Sequence, residues 1–356
     1  MTRDRDNAAA QPSQGGMETV VLKWTEDNAG REAMRHAAEL LKKGRLVAFP
    51  TETVYGLGAD ALNADAVARI YAAKGRPANN PVIVHVPDEA SAAKLVGDWP
   101  SAAQLLAKRF WPGSLTLILP RASQVPDIVT AGGSTVALRV PAHPVALALL
   151  REAGTPIAAP SANRSTRLSP TTASHVMRSL RGRIDAILDG GPAVGGIEST
   201  VLDLSGPSAC ILRPGLISKA ELEEVIGPVQ DASRVVREGR KPMLSPGLMA
   251  RHYSPHTPTE CLEEGARERV ESLKRDGRKV GLLCFGEPRA MPSATTQHAV
   301  LPADAGEAAS GLYAALHDLD DAGLDLIVVE MPPKTAEWAA IRDRLRRAHS
   351  PGAELP

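Results

Sequence analysis

Short apolar runs alternate with segments of helical period along nearly the whole chain, and this interleaving restricts it to α/β architecture. VVLKW reads as a first strand and REAMRHAAELLKKG as an amphipathic helix closed by Gly44. LVAF, a helix over ADAVARIYAAK, the strand VIVHV and a helix over SAAQLLAKRF come next. SLTLILP, TVALRV, PIAAP, AILDG, STVLDL and CILRP follow as short strands, with the helices PVALALLREAG and TTASHVMRSL among them. The close-set strands near residues 115–140 and 186–213 predict a twisted mixed sheet with hairpins and flanking helices, not a purely parallel one.

The pattern changes after ELEEVIG: residues 228–258 are polar, basic and punctuated by prolines, which reads as a linker. Beyond it ARERVESLKRDG, KVGLLCF, AASGLYAALHDLDDAG, LDLIVVEMP and EWAAIRDRLRRAH alternate helix and strand, predicting a smaller doubly wound, Rossmann-like α/β domain over 259–350. The first domain is expected over 17–227, and residues 1–16 read as a disordered tail, with Met17 as an alternative start. Lys+Arg and Asp+Glu balance at 41 each, so the chain as a whole has no electrostatic pull toward nucleic acid or membrane. Three scattered cysteines without C-x-x-C argue against a disulfide framework or structural zinc. No apolar run approaches the ~20 residues that span a bilayer, so the cytoplasm is the expected compartment.

In FPTETVYGLGADA, the stretch G-L-G-A-D-A formally fits a dinucleotide fingerprint. However, Pro50 to Tyr55 separate the strand from the glycines, and Lys74-Gly75-Arg76-Pro77 stands where an acidic residue belongs. A more consistent feature is the strand that ends in a polar or basic loop. VAF leads to Pro50-Thr51-Glu52-Thr53, VAL to Arg139, IAA to Pro160-Ser161-Ala162-Asn163 and CIL to Arg213. Ligands of open α/β sheets bind at strand ends. Together with Lys74 and Arg76, these loops gather guanidinium, ammonium and hydroxyl donors suited to an anion with several oxygens, such as a triphosphate. His85 inside VIVHV reads more readily as a hydrogen-bonded core residue than as a ligand group, and Glu198-Ser199-Thr200 by itself reads as simple turn chemistry.

The ordered set PTETVYGLGADA, KGRPANNPVIVHV, WPGSLTLIL, TVALRVPAHP, PIAAPSANRSTRLSPTT, GGIESTVLDL and ILRPG closely resembles the threonylcarbamoyl-AMP synthase, or YrdC-like, family from Val20 to Gly227. SPGLMARHYSP and the domain after it resemble the long two-domain form, although Leu248 stands where the family linker commonly has Met. The resemblance implies a nucleotidyltransferase that converts L-threonine, bicarbonate or CO2, and ATP into threonylcarbamoyl-adenylate and pyrophosphate. It implies a threonine site at Thr53, His85, Arg139, Ala159 and Ser199. It implies an ATP site at Lys74, Arg76, Asn80, Thr135, Ser161, Asn163, Ser169 and Arg213, with Lys74 and Arg76 as catalytic cations and Tyr253 reaching the nucleotide from the linker. Mg2+ is expected with the phosphates, with no metal site built by the protein itself. The implied product feeds a separate tRNA threonylcarbamoyl-transferase complex that modifies adenosine beside the anticodon, so no stable nucleic-acid binding and no membrane are required.

Two other functions fit parts of the pattern. A non-catalytic RNA-binding module would use the basic loops but conflicts with zero net charge. A carbamoyl-adenylate-forming maturation protein would share the domain, but such proteins carry cysteine-rich zinc modules that this sequence lacks.

Overall fold

The computed structural model describes residues 18–231, 253–287 and 297–349. The chain enters through β1 (Val20–Lys23) and α1 (Asn28–Lys42), whose first turn is capped by the Asp27 side chain. β2 (Val47–Pro50) and β3 (Tyr55–Asp60) form an antiparallel hairpin. α2 (Ala64–Lys74) follows, closed by left-handed Gly75. Then come β4 (Ile83–His85), α3 (Glu89–Ala93), α4 (Ser101–Phe110), β5 (Leu115–Pro120) and β6 (Thr135–Arg139). After α5 (Pro144–Ala153) and β7 (Ile157–Ala158), α6 (Ala173–Leu180) leads into β8 (Ala186–Asp189). β9 (Thr200–Asp203), β10 (Cys210–Arg213), α7 (Lys219–Ile226) and β11 (Gln230–Asp231) complete the first unit.

These strands form one eleven-stranded sheet in the order β1-β8-β2-β3-β7-β4-β6-β5-β9-β10-β11. Pairing is mixed: β2/β3, β3/β7, β4/β7, β5/β6 and β9/β10 are antiparallel, and the others are parallel. Alternation along each strand sorts the side chains. Val47, Phe49, Ala186 and Leu188 pack with α1 and α5 on one face. Ala48, Leu57, Val84, Leu138 and Leu202 pack with α2, α4, α6 and α7 on the other. On the strands from β4 to β10, the face opposite those helices carries a smaller cluster of Ile83, Ile118, Ala137, Val201, Cys210 and Leu212. His85 lies two residues beyond Ile83 and Arg139 two beyond Ala137, so both share that face. Parallel pairing sets His85 directly beside Arg139.

YGLGAD corrects the sequence reading, which expected a glycine turn: these residues are strand β3. The glycines permit close packing between strands. A Cβ on Gly58 would lie 2.9 Å from both Ile157 Cγ2 and Phe49 Cε1, and one on Gly56 would lie 3.2 Å from Ala159 Cβ. β11 lies inside the stretch read as a linker, and two strands of the second unit were also not read from the sequence, β12 (Thr259–Leu262) and β14 (Gln297–Leu301). With β13 (Val280–Phe285) and β15 (Leu326–Glu330), they make a second, all-parallel sheet in the order β12-β15-β13-β14. α8 (Ala266–Arg275) covers one face, and α9 (Ala305–Asp321) and α10 (Ala339–Ala348) the other, the doubly wound arrangement expected.

The two units share a core. Val54, Leu168 and Ile197 of the first pack with Tyr253 and with Leu312, Tyr313 and Leu316 of α9. Gly196 has a φ of +70°, and a Cβ there would lie 2.1 Å from Ala309 O, so its loop presses onto α9. His175 and His317 stack across the same boundary with centroids 3.9 Å apart, beside an Arg178–Asp321 ion pair. Burial, with His317 and Arg178 nearby, brings His175 down to about 3, and burial also lowers His317. A histidine held neutral in the fold takes up its proton only on unfolding, so stability should fall as pH drops from 6.5 toward 3. Denaturant titrations across that range should show His175→Phe flattening the slope by about 1.4 kcal/mol per pH unit, one proton's worth. An unchanged slope would remove His175 as a source of acid sensitivity.

Candidate active site

The side chains that share the sheet face with His85 and Arg139 line a cleft with about 520 Å³ of empty space, its open mouth included. Of the residues expected in the site, Thr53, Arg76, His85, Arg139, Ala159, Ser161, Ser199, Arg213 and Tyr253 line it. The structure adds Thr51, Val54, Gly56, Ile83, Pro160 and Glu198. Thr51 stood in the quoted hydroxyl-rich turn, and Glu198 beside Ser199, but neither had a distinguishing spacing.

The β2–β3 turn is rigid because Thr51 organises it. Its hydroxyl donates to Val54 O at 2.6 Å and accepts from the backbone N–H groups of Thr53 and Val54, both at 3.2 Å. Arg139 Nη1 donates to Thr53 Oγ1 at 2.9 Å, Nη2 to Glu52 Oε1 at 2.6 Å and Nε to Gly113 O at 3.1 Å. The guanidinium is therefore fixed before any ligand arrives. Burial, with the Arg139 charge beside it, pulls His85 down to about 3, so its imidazole is neutral at physiological pH. Its Nδ1 is buried without a hydrogen-bond partner among the described residues.

Across the cleft, Arg213 Nη2 donates to Ser199 O at 3.0 Å and Oγ at 3.1 Å, and the Ser199 and Thr116 hydroxyls lie 2.7 Å apart. Arg76 braces the loop after α2: Nε donates to Asn80 O at 3.0 Å and Nη2 to Pro81 O at 2.7 Å. Burial lowers Arg76 to about 10, which leaves it cationic at neutral pH.

Lys74, Asn80, Asn163 and Ser169 are buried but do not line the cleft. Lys74 Nζ donates to Ser161 O and Asn163 O, each at 2.5 Å, while burial and Arg76 pull its pKa well down. Asn80 accepts from Arg76 through its carbonyl and its side chain. Ser169 donates to Glu198. Thr135 begins β6, at the opposite end from Arg139 and about 13 Å along the strand, and does not join the lining.

Glu198 is the one carboxylate lining the cleft among the described residues. Burial pushes it up, but the Arg344 and Arg213 charges and the Ser169 hydroxyl outweigh this and hold it at about 2. Of the expected linker, residues 232–252, including Arg251 and His252, lie outside the described residues. Tyr253 is buried, with a φ of 60°, and its ring lies 5.9 Å from that of Tyr313.

Two family models match in tandem. One describes the Sua5, YciO and YrdC proteins under the heading telomere recombination and matches residues 39–215; the other, described as threonylcarbamoyl-AMP synthase C-terminal domain, matches 217–350. The threonylcarbamoyl-AMP synthase of Bacillus subtilis is 48% identical over 318 residues, 88% of this chain and 91% of its own. That of Pyrococcus abyssi is 42% identical over 322 residues, 88% and 93% of the two chains. The crystal structure of P. abyssi Sua5 complexed with L-threonine superposes with a TM-score of 0.85 at 39% identity, covering 93% of this chain and 97% of that one. This chain therefore belongs to the threonylcarbamoyl-AMP synthase family, in its two-domain form.

Proposed function

We propose that the cleft joins L-threonine, CO2 or bicarbonate, and ATP into threonylcarbamoyl-adenylate, releasing pyrophosphate. The observation that carries this reading is the convergence of Thr53, His85, Arg139 and Ser199 with Arg76 and Arg213 on one cleft. Arg139 is the partner of the threonine carboxylate, and Thr53, neutral His85, the Ala159 backbone and Ser199 hold the rest of the amino acid. The threonine amine adds to the carbon of CO2 and loses a proton. The resulting N-carboxylate oxygen attacks the α-phosphorus as the bond to the β-phosphate breaks. Both steps depend on positioning and charge neutralisation more than on an acid–base pair.

Arg76 and Arg213 neutralise the phosphates beside Ser161 of the lining, while Lys74, Asn80, Asn163 and Ser169 brace the loops behind it. Mg2+ enters with the triphosphate as part of the substrate. Of the segment 228–258 expected as a lid over the adenylate, residues 232–252 lie outside the described residues, and Tyr253, which lines the cleft, is the residue that reaches the nucleotide. The product passes in the cytoplasm to a tRNA threonylcarbamoyl-transferase complex. No helix among the described residues is long and apolar enough to cross a membrane.

Pyrophosphate release is expected only when ATP, L-threonine and bicarbonate are all present. Serine should be about 10–200-fold poorer, the worth of one methyl group in a fitted pocket. An amino acid that matches threonine in a screen of all twenty would overturn the substrate assignment.

A further inference from the structure

The second unit reaches the cleft through one buried cation. Arg344 on α10 is 1% exposed, and its Nε donates to Glu198 Oε2 at 2.8 Å. Its Nη2 donates to the Glu198 carbonyl at 3.4 Å, and Nη1 to Asp343 Oδ2 at 2.9 Å. The guanidinium lies over the Tyr253 ring, 5.2 Å from its centroid. Tyr313 on α9 donates to the same carboxylate, with its hydroxyl 3.1 Å from Oε2. On the other side of the segment, Arg213 Nε donates to the carbonyl of Ser199 at 3.1 Å. Two guanidinium groups, one from each unit, thus grip consecutive carbonyls at the point where the chain crosses the cleft floor.

We propose that Arg344 is a positioning residue for the reaction: by fixing the carboxylate and carbonyl of Glu198, it sets where Ser199 and Arg213 meet the substrates. This assigns the second unit a part in building the site. The inference rests on the cleft being the threonine and ATP site. A simple docking ion pair between units would need only the carboxylate. The contact with the peptide carbonyl, and the shared ring of Tyr253, tie Arg344 to groups that line the cleft itself. A displacement of about 1 Å in such a floor lowers rates on the order of 10²-fold.

The test uses the full chain, with pyrophosphate release measured against threonine and ATP and with thermal unfolding recorded in parallel. Arg344→Gln is expected to lower kcat/KM for threonine about 100-fold and to lower Tm. Glu198→Gln/Arg344→Gln removes both charges together, so Tm should recover toward that of the intact chain. Its kcat/KM should stay low. Recovery of both would reduce Arg344 to a docking contact and overturn the inference, as would full activity in Arg344→Gln. Arg344→Lys keeps the charge but cannot span carboxylate and carbonyl at once, so the threonine KM should rise about 10-fold with Tm nearly unchanged. This variant decides the matter if neither glutamine variant folds, and an unchanged KM would count against positioning. An intact chain that releases no pyrophosphate with threonine would instead overturn the reading of the cleft.

Discussion

Arg213→Ala is expected to lower turnover about 10²–10³-fold, the usual loss when one donor aimed at developing charge is removed. The structure gives reasons to choose this residue. Arg213 is 3% exposed, faces the cleft, and closes against Ser199 through a fork of donors. Alanine would remove both a charge proposed to face the phosphates and the brace on the Ser199 carbonyl. Arg76→Ala should lower turnover by a similar factor, but Arg76 also organises the Asn80–Pro81 loop, so its effect includes a loss of stability. Steady-state pyrophosphate release, with thermal unfolding as a control, separates the two contributions. Wild-type turnover in a folded Arg213→Ala protein would place the nucleotide elsewhere.

Arg139→Ala should act on the other substrate. Truncating one partner of a buried, hydrogen-bonded charge pair costs about 2–5 kcal/mol, so the threonine KM should rise at least ~30-fold. The ATP KM should move much less. Arg139 is held by Thr53, Glu52 and Gly113, and its side chain is 4% exposed. In the proposed site, threonine would therefore meet an oriented, buried guanidinium, and its carboxylate would compete with Glu52 for one donor. Arg139→Lys should recover little, because a single ammonium cannot reach three fixed acceptors at once. A threonine KM within a few-fold of the intact chain would remove Arg139 from the amino-acid site.

Much of this arrangement was legible in the sequence, for physical reasons that also explain the gaps. Strands such as LDLIVVEMP and helices such as ADAVARIYAAK announce themselves through apolar runs and side-chain period. Strand β3 did not, because close cross-strand packing demanded glycine at positions 56 and 58 and erased the apolar alternation. β12, with Thr259 and Glu260 in a four-residue strand, offers too short and polar a signal. In the candidate site, basic residues at strand ends could be read because strand ends converge. Arg344 could not. In AAIRDRLRRAH it stands among other arginines that look like a solvated helix face, and its carboxylate partner is 146 residues away in the other unit. Glu198 was visible only as a neighbour of Ser199.

The packing of Lys74 has a consequence for the durability of the protein. An acyl-adenylate, the product proposed for this cleft, is an acylating agent, and a neutral primary amine that met it would be a nucleophile. Burial, with the Arg76 charge nearby, lowers the pKa of Lys74 and so favours the neutral, nucleophilic form of its amine. Lys74 does not line the cleft, and its Nζ donates to Ser161 O, Asn163 O and Asn163 Oδ1. Held by the carbonyls of the Ser161–Asn163 loop, the amine stays out of the lining that an acyl-adenylate would meet.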